Sequence, residues 1–319
     1  GRAIAVSLFS SMAEWMTVPV LAMDYASNVT ATLTRTYIFS AKSQLTVHTN
    51  GFGTITATAA AYGTPTNGAQ LDLNRSYTIT ASKDLGGPGV NYVFSNWVAS
   101  VDGGPASVAS TSATYAFLMQ SNLVLTANFV TNRFIGAAGI YWGLFADDPV
   151  AQQSAGLFKL TITSKQTFTG SLYLQGGTLS FSGGTLDLDG YGNSTVIKRD
   201  PKGKANMRVA VQLTFDGSDI IAGTVTCFSN TIYAPEDGPF TAAMYGYKEG
   251  FNATNPTTAG TLAGLYNMAI DVPTDPTSPK GYGYVMITVK TNGQVSAGGK
   301  LGDYATLTPT TVGLSRDGD

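Results

Sequence analysis

Few side chains in this sequence could carry acid–base, nucleophilic or metal chemistry. His48 is the only histidine and Cys227 the only cysteine among 319 residues. A Ser-His-Asp triad would have to use His48, but no Gly-x-Ser-x-Gly motif accompanies it. A zinc site would need more nitrogen and sulfur ligands than these two residues provide. We therefore interpret His48 as a strand-surface residue and Cys227, which lies in an apolar segment, as a small buried residue.

Clustered carboxylates are a second kind of candidate. Asp187 and Asp189 begin a stretch spaced like a calcium loop, yet Tyr191 and Lys198 stand where an EF-hand has further oxygen ligands. The sequence favours an Asp/Gly-rich turn there and leaves a weak calcium site open. A glycosidase would need two carboxylates held across one bond. The remaining acidic clusters each stand beside a proline, which favours solvated loops; they are 147–148, 236–237 and 271–275.

Aromatic side chains are a third kind of candidate. Tyr141 and Trp142 are adjacent, and Tyr245 and Tyr247 alternate along another segment. Such rings stack on sugars or fill subunit interfaces, because each joins a large apolar surface to a polar atom. We predict that these four residues contribute to a ligand site or an interface. No motif indicates a cofactor or a metal, and we expect a protein without enzymatic activity.

The composition excludes one class of partner and favours a secreted β protein. Charged residues make up 12% of the chain, against roughly 25% in an ordinary globular protein. Thr, Ser, Asn and Gly supply the polar surface instead, and they suit strands and turns. The net charge is −2 and no Lys/Arg stripe occurs, so nucleic acid is excluded as a partner, since binding it depends on neutralising phosphates. No run of 18 apolar residues that could form a transmembrane helix is present.

The elements that position these side chains are predicted to be strands. From 134 onward, Gly-punctuated apolar segments alternate with hairpin signals such as Asp216-Gly217-Ser218 and Thr291-Asn292-Gly293. Clear strands are predicted at Thr167–Leu174 and at Met207–Phe215.

This region also contains an internal duplication. Residues at a spacing of 127 positions match: Leu160 with Ile287, Ile162 with Val289, Phe168 with Val295 and Leu174 with Leu301. Gly139-Ile140-Tyr141 is similar to Gly264-Leu265-Tyr266. Two related sets of strands close more readily as one barrel or sandwich than as two sheets of marginal size.

The stretch from Leu45 to Val130 has the features of a small β module. It contains a Gly-rich turn at 50–53, an alternating segment at 77–81, the pair Phe94 and Trp97, and a final strand at 123–129. In this order and spacing, the residues resemble the divergent internalin B-type repeat, a β-rich module found in tandem on bacterial surface and secreted proteins. The resemblance covers about a quarter of the chain. It implies a spacer or adhesive module in which Trp97 is a core anchor.

The first 42 residues align with the end of the same repeat. Met23, Thr30, Ala31 and Leu33 lie 96 positions before Met119, Thr126, Ala127 and Phe129. A partial repeat cannot close its own core, so its last strand, about Ser27 to Phe39, is expected to expose unpaired backbone groups. That strand belongs either to a longer tandem array or to a joint completed by a neighbouring subunit. The predicted strand-exchange residues are Val29, Ala31, Leu33, Tyr37 and Phe39.

The sequence thus predicts an all-β protein of tandem small β modules followed by a β-barrel or β-sandwich domain. The expected divisions are 1–42, the end of a preceding repeat, then 43–130, the repeat, and 134–319, the terminal domain. Through Gly139–Phe145 and Gly281–Val285, the terminal domain resembles the Gly/Thr-rich barrel that closes many large secreted proteins of Verrucomicrobia-type bacteria. That resemblance implies a barrel and no particular reaction.

The leading functional hypothesis is a non-enzymatic bacterial protein that is extracellular or on the cell surface. It would self-associate, or join neighbouring repeats of the same chain, by β-strand pairing, with a role in adhesion or filaments. One alternative is a carbohydrate- or surface-binding accessory module of a larger secreted protein, for which Trp142 would be central and a glycan the partner. Another is a barrel that holds a small apolar ligand.

Overall fold

The chain divides into two compact units that consist almost entirely of strands. The computed structural model describes residues 15–23, 29–38, 41–83, 91–199, 205–228, 239–251, 259–272 and 281–315. The units are Gly1–Asn132 and Arg133–Asp319. Within the described residues the only α-helix is α1, Phe134–Ala137. The predicted all-β fold is confirmed.

The first described element of the first unit is a two-stranded sheet. Strand β1, Trp15–Met23, pairs antiparallel with β2, Val29–Ile38. The predicted strand-exchange segment therefore has a partner strand in its own chain. Its residues Val29, Ala31, Leu33 and Tyr37 belong to β2, whereas Phe39 lies outside the described residues. Exchange of this segment between chains stays a prediction.

The repeat region folds into small sheets around one core. Its strands are β3 (Lys42–Gln44), β4 (Thr46–Asn50), β5 (Gly53–Ala57), β6 (Gln70–Asp72), β7 (Ser76–Lys83), β8 (Tyr92–Ser100), β9 (Ser107–Ser110), β10 (Thr114–Leu118) and β11 (Val124–Thr131). They pair in the orders β3-β6, β10-β7-β5 and β4-β11-β8-β9, and β4 runs parallel to β11.

Trp97 of β8 lies at the centre of this core. Its side chain is fully buried, and its indole N–H donates to the carbonyl of Ala113 at 3.1 Å. The rings of Phe94 and Tyr115 lie 5.8 and 6.3 Å from it, measured between centroids. Burying the ring while satisfying its one donor is the arrangement expected of a core tryptophan.

The second unit is built on an eight-stranded antiparallel sheet that curls into a nearly closed barrel. Its strands are β12 (Gly139–Ala146), β13 (Ala155–Ile162), β14 (Thr167–Leu174), β15 (Gly177–Thr185), β16 (Tyr191–Asn193), β17 (Met207–Leu213), β18 (Ile220–Cys227) and β19 (Phe240–Lys248). From β12 to β15 and from β16 to β19, each strand pairs with the next one in the chain, and β19 pairs with β12. Between β15 and β16 the sheet closes through a bridge from Gly183 to Ser194 and a bond from the Thr195 N–H to the Ser182 carbonyl at 3.0 Å.

The barrel interior is filled by apolar side chains. Alternation along each strand sends every second residue inward, as a pleated strand requires. The inward residues that are at most 2% exposed include Tyr141, Phe145, Phe158, Leu160, Ile162, Phe168, Leu172, Val209, Val211, Ile221, Val225, Ala242 and Met244. The barrel is therefore a packed core.

Four more strands follow the barrel. They are β20 (Gly264–Ile270), β21 (Gly283–Val289), β22 (Gln294–Lys300) and β23 (Thr306–Gly313), paired antiparallel in chain order. The N–H of Gly250, just after β19, donates to the Leu314 carbonyl at 2.9 Å and so ties this sheet to the barrel. Among the residues of these strands whose burial is described, only Gly283 and Val285 are buried.

The β20–β23 sheet has the same local construction as β12–β15. In the first set Tyr141 donates its hydroxyl to the Ala137 carbonyl, and in the second Tyr266 donates to the Leu262 carbonyl, both at 2.8 Å. The β13–β14 and β21–β22 hairpin turns also contain matching hydrogen bonds. The Gln166 N–H donates to the Thr163 carbonyl, and the Gly293 N–H donates to the Lys290 carbonyl. Gln166 and Gly293, which are 127 positions apart, both have positive φ, 64° and 78°.

Candidate functional site

The side chains considered for chemistry are separated in space or occupied by local contacts. His48 is exposed on β4, and Cys227 is buried at the end of β18. The Asp187 carboxylate accepts the N–H groups of Asp189 and Tyr191 at 3.0 and 2.8 Å. These bonds close an Asx-type turn after β15. Within the residues that the structure describes, no group of three His, Cys, Asp or Glu side chains could hold a metal ion.

Only some of the proline-flanked acidic residues lie within the described part of the chain. Asp147 and Asp148 follow β12 directly, and the Asp147 carboxylate accepts the Asp148 N–H at 3.0 Å. Residues 236–237 and most of 271–275 lie outside the described residues.

Three of the four predicted aromatic residues share one surface of the barrel. Trp142 on β12 is directly opposite Tyr247 on β19, and Leu144 is opposite Tyr245. Directly opposed residues lie on the same face of a sheet, and here that face is the outer wall. Tyr141 lies on the other face. It is 1% exposed inside the barrel, and its burial raises the pKa of its hydroxyl.

The outer wall near Trp142 forms a crevice with the β20–β23 sheet. Two adjoining cavities of about 740 and 400 Å³ lie between them and share Leu157 and Val312 as lining residues. On the barrel side the smaller cavity is lined by Trp142, Leu144, Tyr245 and Tyr247. On the sheet side the larger one is lined by Val295, Ala297 and Val312. We call this space the outer-wall crevice.

The outer-wall crevice combines ring surfaces with few polar groups. The rings of Trp142 and Tyr173 are stacked, with centroids 6.5 Å apart, and the Lys159 ammonium lies 4.9 Å from the Trp142 ring centre. The Trp142 indole N–H is buried without a hydrogen-bond partner in the described part of the chain. A ligand with an apolar or sugar-like face and one acceptor atom would match these groups.

Sequence reasoning found the aromatic residues of the crevice but missed their apolar partners. Leu157 and Val312 carry no signal of their own, because a Leu or Val in a strand is ordinarily a core residue. Their role depends on the β20–β23 sheet lying over the outside of the barrel. That placement is a tertiary feature with no counterpart in the local sequence pattern.

The β20–β23 sheet has two outer edges of different character. β20 reads Gly-Leu-Tyr-Asn-Met-Ala-Ile and contains neither charge nor proline. β23 contains Pro309, which has no N–H to offer a neighbouring strand. Natural proteins blunt sheet edges with charge, proline or bulges. β23 carries one of these protections, whereas β20 carries neither a charge nor a proline.

The comparisons with known proteins bear on the first unit. Residues 44–133 match the family model of the divergent InlB B-repeat domain, a repeat of the bacterial surface type. This match confirms the repeat identified from the sequence. No curated protein and no solved structure matches the chain. No helix among the described residues is long and apolar enough to cross a membrane.

Proposed function

We propose that this chain is a non-enzymatic structural protein of a bacterial surface or extracellular matrix, in which modules are joined through β-strand edges. The observation that carries the proposal is the combination of a surface-type repeat at 44–133 with a β20–β23 sheet that has an unblunted edge at β20. Main-chain hydrogen bonds at such an edge give affinity without any dedicated side-chain chemistry.

The charge distribution supports this role over a catalytic one. Among the described carboxylates discussed above, Asp148, Asp187, Asp189 and Asp271 are exposed. A general acid or base instead needs a positioned partner within hydrogen-bond reach of a substrate. The resemblance of 134–319 to the terminal barrels of large secreted proteins agrees with an extracellular setting. We therefore extend the proposal to adhesion and filament formation outside the cell.

Labelling of intact cells tests the location. Antibody against the barrel unit should bind intact, unpermeabilised cells or the culture filtrate, and brief protease treatment of intact cells should remove that signal. Electron microscopy of the secreted material should show filaments or ordered assemblies. Signal that appears only after permeabilisation would contradict the proposal.

The outer-wall crevice favours a second candidate function, the binding of a glycan or another ring-bearing surface ligand. Trp142→Ala removes the largest ring of the crevice and should abolish binding on a glycan array. Tyr191→Ala is the matched control, because Tyr191 is an exposed aromatic residue of β16 outside the crevice. An array on which the native protein binds nothing would count against this candidate, as would equal losses in the two variants.

A further inference from the structure

We propose that β20 is a self-association edge: two copies of this chain pair through their β20 strands, antiparallel across a two-fold axis. The two β20–β23 sheets then form one continuous sheet of eight strands. This inference rests on the proposed structural function and specifies its partner, which is a second copy of the chain.

The first step of the argument is the duplication of the sheet. β12, the counterpart of β20, is paired on both sides, with β13 and with β19. In the described residues β20 is paired on one side only, with β21. The matching tyrosines also differ in burial, because Tyr141 points into the barrel and is 1% exposed, whereas Tyr266 is 46% exposed. The neighbour that β20 lacks is therefore on its outer edge.

The second step is the chemistry of that edge. Leu265 and Met268 on β20 are 79% and 48% exposed. Their exposure alongside unpaired N–H and C=O groups is what strand addition requires. At the opposite edge of the sheet, β23 carries Pro309, and Ser315, just beyond it, bridges to Glu249 after β19. Among the described residues of the four strands, only β20 combines an edge without a paired neighbour with an exposed apolar surface.

The third step is the self-complementarity of β20. A two-fold axis through Asn267 places Tyr266 opposite Met268 of the second copy and Leu265 opposite Ala269 of the second copy. Sulfur and aromatic rings attract each other, and the other pair is apolar. Asp271, which follows the strand, would lie opposite Ala263 of the second copy, so the carboxylates of the two copies do not oppose each other.

The fourth step is geometric. Directly opposed residues of antiparallel strands share a face, so an axis through a residue keeps Tyr266 and Met268 of both copies on one side of the sheet. This is the side that carries Val285 and Ile287, since Met268 is opposite Val285 and Tyr266 is opposite Ile287. The same side carries Ala297, which is opposite Ile287 and lines the outer-wall crevice, so the joined sheets keep their apolar residues on one continuous side. A closed two-fold dimer is also the commonest form of self-association.

Sedimentation velocity of the full chain over a concentration series tests the inference. The native protein should show a monomer–dimer equilibrium. Met268→Lys puts a charge on the apolar face beside the axis and should raise the dissociation constant at least about tenfold. Met286→Lys is the matched control, because it makes the same substitution at an exposed residue of β21, which is paired on both sides and lies away from the β20 edge, and it should leave the constant within about threefold.

Cross-linking tests the register independently. In Asn267→Cys the two introduced thiols face each other across the axis at about 4.5–5.5 Å between Cα atoms, within the reach of a disulfide. Mild oxidation should therefore give a covalent dimer. In Ala269→Cys the two thiols are displaced along the strands by about 13 Å and should remain unlinked. The native Cys227 is buried and should not interfere.

Clear outcomes would overturn the inference. They are a native protein that stays monomeric at every concentration, equal effects of the two lysine variants, and equal cross-linking of the two cysteine variants. Circular dichroism showing the same folded signal for all four variants ensures that unfolding does not explain the result. Labelling of intact cells tests the proposed function separately, so a surface-located monomer would remove this inference alone.

Discussion

Tyr141 and Tyr266 hold matching positions in two related strands but have different surroundings. Each hydroxyl donates to the carbonyl four residues earlier, Ala137 or Leu262. Around Tyr141 the barrel excludes water, whereas Tyr266 is exposed. Losing a hydrogen bond costs more where a buried carbonyl is left without a partner. Comparing the two tyrosines therefore separates the effect of the hydrogen bond on stability from the effect of burying that bond.

We expect Tyr141→Phe to lower the free energy of unfolding by about 1–3 kcal/mol, because it leaves the Ala137 carbonyl unsatisfied within the barrel. Tyr266→Phe should change it by less than about 0.5 kcal/mol, because water replaces the lost bond. Denaturant titration of both variants measures this. Equal destabilisation would mean that the exposure of Tyr266 is not as described.

Glu249 gives the second unit a pH-dependent stability. Burial raises the pKa of its carboxyl, and the Lys159 ammonium partly opposes that rise. A raised pKa means that the folded protein keeps this proton to a higher pH than the unfolded chain does, so ionisation of Glu249 destabilises the fold. The unfolding free energy should therefore fall as the pH rises from about 4.3, the unfolded pKa, through the folded pKa.

Glu249→Gln should remove this part of the pH dependence. Denaturant titrations at several pH values between about 4 and 7 would show a flatter curve for this variant than for the native protein. Asp148→Asn is the control, because Asp148 is exposed beside the barrel. If it flattens the curve equally, Glu249 is not the source of the slope.

At the scale of elements, the turn between β4 and β5 explains the Gly-rich signature of the repeat. Gly51 has a φ of +87°, and a Cβ on it would lie 2.5 Å from the Phe129 carbonyl oxygen. A Cβ on Gly53 would lie 2.1 Å from the Phe129 ring. The turn thus rests directly on β11, and only glycine allows so close an approach.

Gly53→Ala should destabilise the repeat by about 1–3 kcal/mol, because the new methyl group forces the Phe129 ring or the β4–β5 turn to move. Gly136→Ala is the matched control. Nothing lies within 4 Å of a Cβ there, and Gly136 is within α1, where alanine is favoured by up to about 1 kcal/mol. Thermal unfolding of both variants measures the difference. A neutral Gly53→Ala would contradict the packing of the turn on Phe129.

Local sequence patterns predicted the elements better than their assembly. The segment Thr167–Leu174 is a strand with the predicted bounds, and the Asp-Gly-Ser turn at 216–218 joins β17 to β18. Both depend on alternation and turn chemistry within a few residues. The parallel pairing of β4 with β11 was not predicted, because strands about 75 residues apart carry no local sign of their partner.

The same limit applies to the candidate site. Alternation requires Tyr141 and Trp142 to point to opposite faces, but the sequence cannot say which face becomes the barrel interior, because both residues are aromatic. Closure of the barrel decides this, and it buries Tyr141 and leaves Trp142 with Tyr245 and Tyr247 on the outer wall. Adjacent aromatic residues thus indicate a site without indicating which of them belongs to it.

At the scale of the whole molecule, stability resides in two separate cores. One buried cluster is centred on Trp97 in the repeat, and the other fills the barrel around Phe158. Units with their own cores unfold as cooperative units. Calorimetry of the full chain should therefore show two transitions.

The variant Trp97→Ala identifies which of the two transitions belongs to the repeat unit. It removes the largest buried side chain of the repeat and the donor to the Ala113 carbonyl, so the unfolding free energy of that unit should fall by about 3–5 kcal/mol. The barrel transition should keep its midpoint. Trp142→Ala is the reciprocal control, because Trp142 belongs to the second unit and its loss should leave the repeat transition in place. A single transition that shifts as a whole in both variants would show that the two cores unfold together.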